Sequence, residues 1–212
     1  MDFSKKAGIV KSSVLFKTLA EEEIRAIAET ADQKKFPTKT VIIEQCEKPQ
    51  AAYLISKGLV RVYRMAESGN EVNLAILGPG EVVGEMSLLD ECDRSASVET
   101  LQETEVLTLT KSDFDKVLAQ NPQIARKMLG IFCRRLRVAN ECVEELAVKE
   151  LKDRLFRTLM ILSGYFPKGE INLSQEDLSA IVGATRPRVT EALGELEKQG
   201  KVSLSRRKIH LS

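Results

Sequence analysis

Apolar residues change their period twice along this chain. Before about residue 33 and after about residue 111 they recur every three or four positions, and between Lys39 and Thr110 they come in short clusters. Residues 12–32 are predicted to be a short helix. EEEIRAIAETA places acids in a first turn, where the helix dipole favours them, and puts Ile24, Ile27 and Ala28 on one face. The clusters that follow, TVIIEQ, AAYLIS, GLVRVYRM, EVNLAIL, SASVETL and EVLTLT, are rich in β-branched and aliphatic residues and are predicted to be strands. Alternation in EVNLAIL predicts one buried face carrying Val72, Leu74 and Ile76. Gly58, Gly69 and Gly80 stand 11 residues apart, and SGN at 68–70 signals a tight turn. Regular glycine breaks with no helix between strands predict a rolled antiparallel sheet with sharp corners.

The helical period returns at about Lys111, where SDF before an apolar run is an N-cap signal. After Asn121-Pro122 one long helix is predicted to about Val148. Leu129, Phe132, Leu136, Ala139, Val143 and Leu146 fall at alternating spacings of three and four, which is a coiled-coil seam. A second stripe, Ile124, Met128, Ile131, Val138 and Cys142, flanks it. One stripe can pack on the chain's own sheet and the other on a partner helix, which predicts a parallel homodimer. ELKDRLFRTLMILSGYF then reads as a helix ending near Gly164, INL as a short strand, and the remainder as helix, turn, helix and two short strands.

The predicted class is α+β: an antiparallel β-roll over 1–121, a long dimerisation helix with a hinge over 122–148, and a winged helix-turn-helix over 149–212. Charge supports a division of labour. Residues 149–212 hold 12 Lys and Arg against 8 Asp and Glu, a balance of +4, while 1–148 hold 20 against 23, or −3. A basic C-terminal third predicts a polyanionic partner. No apolar run approaches the ~20 residues that cross a bilayer, and the N-terminus is too interrupted by Lys and Ser for a secretory signal. The expected location is cytoplasmic, with no membrane partner. The cysteines, Cys46, Cys92, Cys133 and Cys142, form no C-x-x-C pair, and His210 is the single histidine. No metal site is therefore expected. No nucleophile–base pair is found, so no catalytic residue and no enzyme activity are expected.

In the C-terminal third, Ser174 and Asp177 form a near-capping box. Leu178, Ile181 and Val182 make the first helix's apolar side, Gly183 ends it, Thr185 can cap the next helix, and Pro187 is tolerated in its first turn. Val189, Leu193 and Leu196 face inward. This predicts a helix-turn-helix. Arg186, Arg188 and Thr190 open the exposed side of the second helix, where Arg reads guanine. Arg206, Arg207 and Lys208 sit at the tip of a predicted hairpin wing suited to phosphate contacts. The DNA-facing set is Ser174, Thr185, Arg186, Arg188, Thr190, Arg206 and Arg207.

In the N-terminal unit, GPGEVVGEMSLLDECDRSASV gathers a carboxylate, a guanidinium and glycine turns within one short excursion between strands. A carboxylate can accept from a ribose hydroxyl, and an Arg fork pairs with a phosphate. Glu85, Arg94 and Ser95 fit that chemistry. They equally fit a plain surface ion pair between Glu85 and Arg94, worth ~0–1 kcal/mol.

The chain resembles the CRP/FNR family of bacterial transcription regulators over nearly its whole length. G-E-x-x-L…R-S-A at 84–96 is similar to the family's phosphate-binding cassette, and IVGATRPRVTEALGELEKQG is similar to its helix-turn-helix. The resemblance implies a cyclic-nucleotide-binding jelly roll, with Gly84, Glu85, Met86, Arg94, Ser95 and Asn140 around the ligand and Arg186 reading a base. It implies double-stranded promoter DNA, RNA polymerase and a second copy of the chain as partners, and cAMP or another cyclic nucleotide as effector in place of any cofactor. The family's base-contacting Thr-Ser pair aligns with Ala139-Asn140, and only Asn140 can donate and accept. The base is therefore left open, as is control by level or by oxidation of Cys92. Two further positions of the family's recognition helix align with Pro187 and Glu191, which implies a different operator.

Overall fold

A computed structural model of the protein describes residues 2–211 except Thr18, Ser68, Asn70, Arg206 and Arg207, with backbone alone for Cys142 and 144–148. Its contacts divide into two units, residues 1–65 with 77–136, and 66–76 with 137–212.

The chain opens with α1 (Phe3–Ser12) and α2 (Glu21–Thr30). The helix expected over 12–32 is thus corrected to the shorter α2, with α1 ending at Ser12 as a separate helix before it. Ser13 and Ala20 both have extended backbone, and Glu23 accepts the Ala20 N–H at 2.7 Å, which starts α2 afresh. Buried Leu15, Phe16 and Leu19 fill the joint. The strands follow: β1 (Asp32–Phe36), β2 (Val41–Ile43), β3 (Ala51–Lys57), β4 (Val60–Met65), β5 (Glu71–Leu77) and β6 (Val82–Val83). A short helix, α3 (Glu85–Asp90), precedes β7 (Ser97–Thr100) and β8 (Thr104–Thr110). One sheet has the order β1-β8-β3-β6 and the other β2-β7-β4-β5. The pairings described strand by strand are antiparallel. β1, made of DQKKF, was not expected. Its polar composition hides it, and edge pairing with β8 makes it a strand.

Gly58, Gly69 and Gly80 all take positive φ, so the evenly spaced glycines do mark corners. Ser68 and Asn70 of the expected tight turn lie outside the described residues. The face expected to be buried on β5 is corrected: Val72 and Leu74 are exposed, while Leu77 packs on the apolar cluster of Ile43, Ile55, Val60, Val83, Val98 and Val106. Alternation shows that two faces differ. Which one is covered depends on what packs there.

α4 (Lys111–Gln120) is capped by Thr110, whose hydroxyl accepts the Asp113 N–H at 3.2 Å, rather than from within SDF. α5 (Pro122–Val148) is the long helix. Its Ile124, Met128 and Ile131 join Val10, Ile24, Ile27, Leu54, Leu107 and Phe114 in the larger core. On the other stripe Leu129 and Leu136 are each 63% exposed and Val143 is 67% exposed. Phe132 departs from that seam and packs on the core. The side chains of Cys142 and Leu146 lie outside the described residues, and Val138 is exposed.

In the second unit α6 (Leu151–Ser163), α7 (Gln175–Val182) and α8 (Arg186–Lys198) pack through Leu155, Leu159, Leu162, Leu178, Val189, Leu193 and Leu196. β9 (Val202–Ser205) and β10 (Lys208–Leu211) form an antiparallel hairpin. The strand expected at INL reduces to one bridge, Ile171 with Ile209. Among the described residues, no helix is long and apolar enough to cross a membrane.

Candidate functional site

β6 ends at Val83, opposite Tyr53 of β3, and the chain turns at Gly84. Gly84 has φ 79°, and a Cβ there would lie 2.8 Å from Arg94 Nη1 and 2.9 Å from Ile43 Cδ1. Only glycine suits both the left-handed backbone and that approach. The turn starts α3 and brings Glu85 inward.

Arg94 is fixed from both ends. Its N–H donates to the Glu47 carbonyl at 2.9 Å, and its carbonyl accepts from Cys46 at 2.9 Å. Its Nη1 donates to the Gly84 carbonyl at 2.6 Å and its Nη2 to the Ala51 carbonyl at 2.5 Å. A guanidinium has five N–H donors, so others are left for an anion. Arg94 is 6% exposed and Glu85 is 2% exposed, which removes the reading of a surface ion pair. Burial draws the Arg94 guanidinium below its ordinary pKa, opposed by Tyr53 and Glu85. It stays charged, because an Arg is not deprotonated in proteins.

Glu85 pairs with Arg135 of α5, whose Nη1 donates to Glu85 Oε1 and whose Nη2 donates to the Val82 carbonyl at 3.2 Å. Burial pushes the Glu85 carboxyl above its ordinary pKa. Arg135, the residue's own backbone N–H and Arg94 pull the other way. Arg135 was not singled out by motif. The signal was present, because Ile124, Met128, Ile131 and Arg135 continue one 4-3-4 stripe. A cation in an apolar stripe that packs on the roll points at an anion there.

Ser95 and Met86 are exposed beside this clip, and Asn140 and Ala139 are exposed on α5. Exposed free thiols are present at Cys46, Cys92 and Cys133. Among the described residues no group of three or more His, Cys, Asp or Glu could hold a metal.

In the second unit the capping box is closed. Ser174 Oγ accepts the Asp177 N–H at 3.0 Å, and Asp177 Oδ2 accepts the Ser174 N–H at 3.0 Å. Gly183 takes φ 65° in the turn. Thr185 occupies the N-cap position of α8, but its side chain makes no cap hydrogen bond. Arg186, Arg188 and Thr190 are exposed. The Thr190 hydroxyl is already engaged, with Gln175 Oε1 at 2.8 Å and the Arg186 carbonyl at 2.9 Å. Lys208 is held by Glu170 at 2.6 Å, and Arg206 and Arg207 lie outside the described residues.

The family model for a cyclic nucleotide-binding domain matches residues 33–121, and that for a Crp-like helix-turn-helix domain matches 153–212. The Cyclic AMP receptor protein of Thermus thermophilus is 36% identical over 197 residues, 92% of this chain and 90% of the relative. The cAMP-activated global transcriptional regulator CRP of Salmonella typhimurium is 33% identical over 176 residues, 80% of this chain and 84% of the relative. Among solved structures, the catabolite activator protein of Thermus thermophilus aligns with TM-score 0.58 at 33% identity over 94% of each chain. The c-di-GMP responsive regulator CLP of Xanthomonas campestris aligns with TM-score 0.77, covering 91% of this chain and 99% of that one. At 22% identity that second likeness speaks for the fold alone.

Proposed function

Because the chain belongs to the CRP/FNR family of transcription regulators, we propose that it acts as a homodimer on promoter DNA, gated by cAMP or a related cyclic nucleotide. The chain is a regulator, not an enzyme. In this reading Glu85 accepts the ribose 2′-hydroxyl, and Arg94 and Ser95 donate to the cyclic phosphate. Gly84 and Met86 line the clip, and Asn140 meets the base. The α5 seam of Leu129, Leu136 and Val143 joins two copies, as apolar residues at coiled-coil spacing do. Arg186 and Arg188 meet base edges and Arg206 and Arg207 meet phosphates, with RNA polymerase as the partner at the promoter.

The observation that carries the reading is the pairing of buried Glu85 with Arg135. The carboxylate that would take the ligand's hydroxyl is the one that grips the helix bearing the seam. A ligand at Glu85 changes how Arg135 is held, and so biases that helix. Gating requires that the ligand bind the DNA-competent state better than the other.

Calorimetry with cAMP, cGMP and cyclic di-GMP, followed by gel shifts on a promoter fragment, tests this. Binding of one nucleotide together with tighter DNA binding supports it. No heat with all three, and no change in DNA affinity, overturns gating and leaves a regulator that works without a cyclic nucleotide.

A further inference from the structure

Two helix ends beside the clip carry the charge that their dipoles disfavour. α3 ends at Asp90, and its C-cap, Glu91, is an acid in left-handed backbone at φ 59°. α4 begins at Lys111, a cation at the first helical position. Acids suit helix N-termini and cations suit C-termini, so each residue is misplaced on its own helix. Across space the two meet. Lys111 Nζ lies 3.5 Å from Glu91 Oε1 and donates to the Leu88 carbonyl at 3.4 Å. The cation thus reaches the C-terminal end of α3, where it is favoured, and Glu91 lies beside it. Violations of local preference concentrate at functional sites.

α3 has six residues, too few to keep a helical shape by themselves. Leu88, 2% exposed, anchors its apolar side. Glu85 is its first residue, so a tilt of α3 moves the carboxylate directly. Lys111 holds the other end. Asp115, one turn further along α4, steadies the ammonium at 3.1 Å. Hydrogen bonding to Asp115 raises the Lys111 pKa above its ordinary value, and Glu91 adds to this, so the ammonium stays charged. The backbone of the same residue serves the other half of the clip. The Lys111 N–H donates to the Gln50 carbonyl at 3.0 Å. The next carbonyl, that of Ala51, takes Arg94 Nη2.

We propose that Lys111 is a positioning residue for the clip, holding α3 from its C-terminal end so that Glu85 stands where the ligand's 2′-hydroxyl arrives. This rests on the reading of Glu85 and Arg94 as a cyclic-nucleotide clip. Lys111 itself touches no ligand. Its side chain acts through Glu85, whereas Arg94 is tied to the Gly84 and Ala51 carbonyls.

The test uses the full-length protein and calorimetry with cAMP and cGMP, each beside its 2′-deoxy analogue. Lys111→Met keeps the stem and drops the charge, and Lys111→Arg keeps the charge. Lys116→Met removes another lysine of α4, one that pairs with Asp113. Each variant is checked for folding by thermal melting. Lys111→Met is expected to weaken the nucleotide that the wild type binds by about three- to fivefold, the scale of a part-exposed ion pair. Lys111→Arg and Lys116→Met should keep wild-type affinity. The 2′-deoxy analogue gives Glu85 no hydroxyl to accept, so Lys111→Met should bind it as the wild type does. Without nucleotide, amide exchange over 85–91 should quicken in Lys111→Met and not in Lys111→Arg. Wild-type nucleotide affinity in Lys111→Met, or the same loss in Lys116→Met, overturns the proposal. An equal loss for the nucleotide and its 2′-deoxy analogue overturns the route through Glu85. If the wild type binds neither nucleotide, the clip reading fails and takes this proposal with it, an outcome distinct from a silent Lys111→Met.

Discussion

Glu85 and Arg135 stand 50 residues apart in the chain and form an ion pair in which the carboxylate is 2% exposed. One partner starts a six-residue helix beside a glycine turn, and the other stands on the long helix. Removing the cation strands a buried acid. Arg135→Leu is expected to lower stability by about 1–3 kcal/mol, less than for a fully buried pair because Arg135 is half-buried. Urea unfolding measures this, and adding Glu85→Gln to Arg135→Leu should recover part of the loss.

The same carboxylate makes stability depend on pH. Its folded pKa is raised, chiefly by burial, so the folded state holds its proton more tightly than the unfolded chain. The contribution favours folding below the unfolded value of about 4.3 and is lost as pH rises through the folded value. Glu85→Gln cannot titrate. Its stability relative to wild type should therefore rise with pH across that window, as read by denaturant unfolding at several pH values. A constant difference would contradict the raised pKa.

Gly84→Ala meets two obstacles, a φ of 79° and a Cβ 2.8 Å from Arg94 Nη1. A loss of about 1–3 kcal/mol is expected, together with weaker nucleotide binding as Arg94 shifts. Thermal melting and calorimetry on the same variant report the two effects.

The α5 seam is the proposed dimer contact. Leu136, 63% exposed in the single chain, becomes a buried charge at such an interface when changed to Glu. Leu136→Glu should sediment as a monomer while keeping the melting behaviour of the roll. A dimer unchanged by this variant would place the interface elsewhere.

Arg186 opens α8 with its side chain exposed. Arg186→Ala is expected to cost about 1–3 kcal/mol of operator affinity and to relax preference at one base pair. Binding to a panel of operators mutated one position at a time measures both.

Local chemistry along the chain was enough for much of this. The glycines at 58, 69 and 80, the Ser174–Asp177 box, the Gly183 turn and the long run after Pro122 act through neighbours a few residues away, so their signals sit in short windows of sequence. Motif chemistry brought Glu85 and Arg94 together as candidates for the same reason. Tertiary structure decided what depends on distant partners. β1 has a polar sequence and is a strand because β8 pairs with it. Val72 and Leu74 alternate like a buried face yet are exposed, because period 2 distinguishes two faces without saying which is covered. The partner of Glu85 is Arg135, and the Thr190 hydroxyl turns to Gln175, 15 residues earlier. Hydrogen bonds and ion pairs act over a few ångströms of space, and only folding brings such residues within that range.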